Sequence, residues 1–372
     1  MINIALVGCG RIAKRHAELL GTQQIAGARL VAVCDVQSER VTSFATDYGV
    51  PGFTSLDDLL AMPGIDVVSV LTPSGMHAAH AIAVARSGRH VIVEKPMALT
   101  LVDADAMVRE CDAAGVSLFV VKQNRLNVPV LKAREALDAG RFGRLVLGTV
   151  RVRWCRDQRY YDQDDWRGTW AQDGGVLANQ ASHHVDLLSW FMGPVESVHA
   201  RGITALVDIE AEDTAVATLK FRSGAVGIIE ATCAARPHDM EGSLSVLGST
   251  GAVEIAGFAV NKTRTWQFAE PLPSDTDAMA KFSVNPPNVY GFGHQTFYEH
   301  IVDVMAGTAR PLVDGHEGRQ SLELIMALYE SMASGKEVVL PLKVEHCKLG
   351  RRSPSLVRSG VRRDDVVRGL AS

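Results

Sequence analysis

Glu94-Lys95-Pro96 closes an apolar run, and 88 residues beyond the lysine comes the histidine of Asn179-x-x-x-His183-x-x-Asp186. An ammonium can stabilise a developing alkoxide, and an imidazole can take the proton that leaves a hydroxyl. Upstream of both stands Gly8-x-Gly10-x-x-Ala13, directly after the apolar run Ile2 to Val7. In a strand-to-helix turn the first glycine permits the tight bend. The second lets a pyrophosphate approach backbone N–H groups at the helix N-terminus, and the alanine allows close packing of helix on sheet. Asp35 lies 25 residues past Gly10, at the end of a second apolar run. A carboxylate there accepts hydrogen bonds from ribose hydroxyls and repels a 2′-phosphate, which selects NAD over NADP. Together these residues describe hydride transfer at a carbinol carbon, with His183 taking the proton and Lys95 holding the oxygen.

The intervening elements must bring these groups together. Over residues 1 to about 122, short runs rich in Val, Ile and Leu alternate with stretches of helical spacing. The runs are 2–7, 30–34, 66–71, 90–94 and 116–121, and the helical stretches are 13–20, 38–48, 56–61, 76–87 and 101–114. Ser38, Ser55 and Thr100 stand where N-caps belong, and Gly49, Gly88 and Gly115 where helices end. This pattern predicts a doubly wound parallel sheet covered on both faces. In such a sheet ligands bind outside the carboxyl ends of the strands. Thr72, Pro73 and His77, after the run 66–71, and Glu94 with Lys95, after 90–94, therefore join Gly8, Gly10, Arg11, Ile12 and Asp35 as expected cofactor contacts. Singly each is weak. Thr72-Pro73-Ser74 reads equally as a helix start, Lys-Pro alone is more often a surface turn, and Asp35 alone could be a loop acid.

Past residue 122 the texture changes. A helix over 128–139, with Pro129 in its first turn, leads into a strand over 145–154. A polar, aromatic loop follows, then a helix from about 176 to 192 stopped by Gly193-Pro194. On that helix Asn179, His183 and Asp186 share one face, and Asp186 is expected to orient His183 or cap a neighbouring segment. His184 points about 100° away, and no metal site is expected from His183, His184 and Asp186, whose side chains do not converge. Runs at 213–221, 225–233, 244–247 and 252–255, joined by turn residues, predict an antiparallel sheet. Two helices (291–306 and 317–334) and a last strand (337–341) complete this part, and the basic tail 345–372 reads as loosely ordered. Arg153, Arg156, Arg159 and Arg167 flank Tyr160-Tyr161 and Trp166. They suit a phosphate and a stacked ring, but charge runs are more often a solvated loop, here paired with Asp157, Asp162, Asp164 and Asp165.

The chain has 372 residues, 47% hydrophobic and 22% charged, enough for about two domains. A net charge of -4 argues against nucleic acid or an anionic membrane as partner. No apolar stretch approaches the roughly 18 residues of a membrane span. Met1-Ile2-Asn3-Ile4 lacks the basic start of a signal peptide, and the six cysteines form no C-x-x-C pair. Reduced thiols and a cytoplasmic location are expected.

The fingerprint at Gly8–Ala13, Glu94-Lys95-Pro96 and Asn179-x-Ala181-x-His183-x-x-Asp186 together resemble the Gfo/Idh/MocA family of sugar and cyclitol oxidoreductases. The resemblance runs to about residue 342, including Gly291–Gln295 and Pro311–Glu323, and leaves out only the basic tail. It implies an NAD-binding Rossmann domain (1–122), a substrate-binding α/β domain (123–344) with a large, mostly antiparallel open sheet, and the tail (345–372). It also implies catalysis by Lys95 and His183, and a homo-oligomer formed through that sheet. One position departs: inositol dehydrogenase-like members usually have aspartate where this chain has Asn179. Asparagine cannot titrate, which leaves His183 as the proton acceptor and Asn179 as a substrate-orienting group. Members that oxidise nucleotide-linked sugars look similar in having asparagine there. The implied reaction is oxidation of a secondary hydroxyl of a nucleotide-linked sugar, of the 3-dehydrogenase type, with Asn179, Arg156, Arg159, Trp166 and Arg167 on the substrate. The alternatives are a free-sugar or cyclitol dehydrogenase and, in another class, a non-catalytic NAD-binding regulator.

Overall fold

Short β-branched runs flanked by helices bury both faces of a sheet, and the first third of the chain does this. The structure, a computed structural model, describes residues 1–283, 293–343 and 346–351. Strands β1 (Ile2–Val7), β2 (Ala28–Cys34), β3 (Gly52–Phe53), β4 (Val67–Val70), β5 (His90–Val93) and β6 (Leu118–Val120) form a sheet in the order β3-β2-β1-β4-β5-β6. Every pairing in it is parallel. Strand order reverses between β1 and β4, so the crevice at their carboxyl ends is a topological switch point. The helices Ser38–Tyr48 and Leu101–Ala114 end on Gly49 and Gly115, both in the left-handed conformation. The helix expected over 76–87 is a 3-10 turn, Ser74–Met76, followed by His77–Arg86.

The second sheet contains β7 (Leu145–Arg153), β8 (Val195–Ile203), β9 (Thr214–Phe221), β10 (Val226–Thr232), β11 (Glu241–Gly248), β12 (Gly251–Ala256), β13 (Lys262–Phe268) and β14 (Val338–Val339). Their order is β13-β12-β11-β7-β10-β9-β8-β14, antiparallel except where β7 runs parallel to β10. Side chains alternate along it as a half-buried sheet requires. The inner face packs on the helices Ser182–Met192 and Gly315–Ser334. On the outer face Arg151 and Arg153 pair with Glu230 and Glu241. Arg153 therefore belongs to this ion-pair lattice and not to a phosphate site. Strands β8 and β13 were not among the expected elements.

Two expectations are corrected. The helix predicted from about 176 begins at Ser182. The backbone ahead of it is held by tertiary partners: Leu177 N–H donates to Glu212 Oε1 (2.9 Å), and Gly175 and Ala178 N–H donate to the Tyr329 hydroxyl (2.9 and 3.3 Å). The local bonds are irregular: Asn179 N–H donates to Gly175 C=O, Ala181 N–H reaches back five residues to Val176 C=O, and the Asn179 C=O accepts from Lys95 Nζ and Ser182 Oγ, so Asn179 sits in a turn, not on the helix face. The tail is likewise ordered at its start, with Cys347 and Leu349 buried. There Glu330 accepts from the His346 and Cys347 N–H groups, and Gly350 N–H donates to Trp170 C=O. Residues 291 and 292 of the expected helix 291–306, and residues 345 and 352–372 of the tail, lie outside the described residues; that helix is described as Gly293–Met305.

Candidate active site

A cleft of about 1200 Å³ runs from the switch point to the turn before Ser182–Met192. This exceeds the roughly 300–1,000 Å³ that one drug-sized ligand occupies. At one end Val7 hands the chain to Gly8, whose φ of +100° suits only glycine. A Cβ there would also stand 2.8 Å from the backbone of Leu71, whereas a Cβ on Gly10 would meet nothing within 4 Å. Gly8 thus serves the bend, and Gly10 leaves the cleft clear beside the N-terminus of the helix Ala13–Gly21. Asp35 lines the same end, held by N–H groups of Cys9 (2.7 Å) and Gln37 (2.9 Å). These residues, with Arg11 and Ile12 beside them, fit a dinucleotide: a turn open to a pyrophosphate and a fixed carboxylate facing a ribose site.

Thr72, Pro73 and His77 also line the cleft. His77 commits both ring nitrogens to backbone carbonyls, of Thr72 and of Pro96 (each 2.8 Å). Its role is to tie the loop after β4 to the turn after β5. That turn carries a cis Lys95-Pro96 peptide. Glu94 is buried beside His16 (3.2 Å) and His294 (3.6 Å). Burial pushes its carboxyl up, but the bonds to the two histidines outweigh this and hold it well below the usual range. Its other oxygen accepts from Lys95 N–H at 3.0 Å.

Lys95, Asn179 and His183 share one cleft wall. Lys95 Nζ donates to Asn179 C=O at 2.9 Å and reaches its Oδ1 at 3.4 Å. Burial lowers the lysine pKa, Glu94 and Asp173 oppose that, and Arg167 adds to it. Neither ring nitrogen of His183 has a hydrogen-bond partner among the described residues. Burial, then the positive charges of Lys95 and Lys122, hold its pKa well below the ordinary value. A neutral imidazole with free nitrogens is a competent proton acceptor. His184 is packed edge-on against Trp154 in the core, its pKa lowered to about 3 by burial.

Asp186 does not orient His183. It takes a bidentate pair from Arg125 (2.8 and 2.9 Å) and lies 3.8 Å from Lys122. It fastens this helix to the segment after β6. Among the loop residues, Arg156, Trp166 and Arg167 line the cleft with Tyr160, and Arg159 does not. Its side chain is 93% exposed and paired with Asp157. Arg167 lies over the Trp166 and Tyr160 rings (4.6 and 4.7 Å) and bonds Asp164 and the Tyr160 hydroxyl. Arg156 is paired with Asp239 at 2.9 Å. Sequence reasoning missed Asp173, buried behind Asn179, and Arg40, which reaches Asp164 at 3.5 Å across the cleft. Arg40 follows Asp35 by five residues on the helix Ser38–Tyr48, but nothing local marked Asp173.

Two family models account for most of the chain: an oxidoreductase family NAD-binding Rossmann fold over residues 2–122, and the oxidoreductase family C-terminal α/β domain over 134–340. The chain belongs to the Gfo/Idh/MocA family. Like other Gfo/Idh/MocA oxidoreductases it is an NAD-dependent dehydrogenase acting on CH–OH groups of sugar-type donors. It is similar to the WlbA dehydrogenase from Bordetella pertussis, solved with NADH and UDP-GlcNAcA. That likeness has 46% identity and a TM-score of 0.87, over 92% of this chain and 98% of that one. Myo-inositol 2-dehydrogenase of Thermotoga maritima is 30% identical over 91% of this chain and 98% of its own length. The NAD(+)-dependent scyllo-inositol 2-dehydrogenase of Bacillus subtilis is 26% identical over 92% and 96%. No helix among the described residues is long and apolar enough to cross a membrane.

Proposed function

We propose that this dehydrogenase oxidises a secondary ring hydroxyl of a nucleotide-linked sugar, at C3 and on a hexuronic acid of the UDP-GlcNAcA kind. NAD, when bound, supplies the hydride acceptor. Gly8, Gly10, Arg11 and Ile12 would hold its pyrophosphate and Asp35 its ribose, while Thr72, Pro73 and Glu94 shape the rest of its bed. Lys95 donates to the substrate oxygen and stabilises negative charge there. His183, neutral and unbonded, takes the hydroxyl proton. Asn179 orients the ring, and Arg156, Trp166 and Arg167 hold the charged and planar parts of the substrate. Remote binding of this kind serves orientation at the reacting carbon.

The observation that carries the reading is the asymmetry of likeness: 46% identity to the protein solved with UDP-GlcNAcA against 30% to an inositol dehydrogenase. Asparagine at 179 and two guanidinium groups on the cleft wall accord with it. The test is cofactor absorbance with UDP-GlcNAcA, neutral UDP-sugars, free glucose and myo-inositol. Arg167→Ala and Arg156→Ala should lower kcat/KM for UDP-GlcNAcA by about ten- to a hundredfold, the scale of a lost charge-assisted contact, and barely affect free sugars. Free inositol oxidised as efficiently as any nucleotide sugar would instead favour the cyclitol reading.

The same proposal includes a homo-oligomer through the outer face of the second sheet. Val216, Val226 and Ile228 are exposed there on adjacent strands, and light scattering would read the subunit number.

A further inference from the structure

Asn179 brings no carboxylate to Lys95, yet a carboxylate stands directly behind it. Asp173 is 1% exposed and outside the cleft lining. Its Oδ1 accepts from Asn179 Nδ2 at 2.5 Å and its Oδ2 from Gly168 N–H at 2.8 Å. With Nδ2 drawn to Asp173, Asn179 Oδ1 is left towards Lys95 Nζ. An amide can present either end to a neighbour. Here an anion on one side and a cation on the other leave only one orientation that satisfies both.

We infer that Asp173 is a positioning residue for Lys95: it orients the Asn179 amide and supplies, one residue removed, the negative charge that keeps the ammonium protonated and aimed into the cleft. This rests on the proposed role of Lys95. The surroundings of the pair make that charge matter. Arg167 and Lys122 repel Lys95, and His183 beside it holds no charge. Glu94 is the other anion acting on Lys95. Around Asp173 stand Arg167, Lys95, Tyr160, Tyr161 and the buried Glu212. Burial raises the Asp173 carboxyl to about 6, so it is ionised across the range where a lysine titrates.

The hydrogen-bond pattern suggests a charge swap. In Asp173→Asn one acceptor becomes an NH2 group facing either Gly168 N–H or the Asn179 amide, both of which donate. In the double variant Asp173→Asn/Asn179→Asp, the new asparagine accepts from Gly168 N–H and donates to the new aspartate. That aspartate then faces Lys95 directly. Every bond is kept and the charge has moved one residue forward.

The experiment reads the Lys95 pKa without turnover, by acetylating the whole protein with acetic anhydride across pH and quantifying the Lys95 peptide by mass spectrometry. Turnover of UDP-GlcNAcA with NAD is followed in parallel. Asp173→Asn should lower the Lys95 pKa by about one unit, the effect of losing a nearby opposite charge. It should move the alkaline limb of kcat down equally and cut kcat by on the order of tenfold, with the circular dichroism spectrum and NAD binding kept. The swap should restore both pKa and limb. An unchanged Lys95 pKa in Asp173→Asn, or a swap no better than that single variant, would overturn the inference. Lys95→Met with wild-type turnover would sink the proposed role of Lys95 and leave the pKa result standing, so the two failures are distinct.

Discussion

At the residue scale, the proposed role of His183 as the base fixes an expected response to pH. An imidazole acts as a base only when neutral, and burial with Lys95 and Lys122 nearby depresses its pKa well below 6.5. The neutral form therefore persists as pH falls past the usual histidine value. The acid limb of kcat/KM should lie below pH 6.5; a limb at or above that value would place another group in control. His183→Ala and Lys95→Ala should each cost on the order of 10²–10⁴-fold in turnover with NAD binding within a few-fold of wild type. His184→Ala should act on stability, since that ring fills the core against Trp154. Near-normal turnover by His183→Ala would end the assignment. As candidates, His183 and Lys95 were legible from their motifs. The free state of the His183 ring was not, because the expected partner Asp186 is taken by Arg125.

At the scale of elements, the turn 175–181 shows how tertiary partners override helical spacing. Val176-Leu177-Ala178 reads as a helix start, but Glu212 and Tyr329 hold its N–H groups in a conformation in which Ala181 N–H reaches back five residues to Val176 C=O, not four. Both partners lie far along the chain, so no local pattern could announce them. Glu212 is fully buried, and burial raises its carboxyl to about 7 despite the bonds from Leu177 and Tyr329. The native state thus holds a proton that the unfolded chain releases near the ordinary value. Stability from this group is complete below about 4.5 and is lost as pH rises to about 7. Glu212→Gln keeps an acceptor for both donors and removes the titration. The variant should match wild type near pH 4.5 and exceed it by about 3 kcal/mol at pH 8, measured as the difference in urea unfolding. A difference independent of pH would show that Glu212 does not titrate in this range.

For the whole molecule, the two sheets meet at the cleft, and the last described segment joins their loops. Gly350 packs against Leu99 and Thr100, just past the Lys95 turn, and its N–H donates to Trp170 C=O. Leu349 lies against Gly174. Deleting residues 344–372 would uncover those contacts. It should cost about 2–4 kcal/mol, the burial of one or two apolar side chains, and lower turnover more than NAD binding, because the freed turn carries Asp173. Unchanged thermal stability in the deletion would show that the tail contributes nothing to the fold.

Local chemistry determined the parallel sheet, the glycine turn and most of the caps (Gln37, not Ser38, precedes its helix), and it singled out Lys95 and His183 as candidates, because hydrophobic period, caps and motif spacing are short-range properties. Turn-joined runs pointed to the antiparallel sheet of the second domain, and resemblance added the family and its sugar-type donors. Tertiary structure alone decided which charges meet. It gave Asp186 to Arg125, placed Arg153 on the outer sheet and left Arg159 in solvent. It also set Asp173 behind Asn179. Ion pairing and burial depend on three-dimensional distance, and the partners here are separated by up to tens of residues whose path the sequence pattern does not specify.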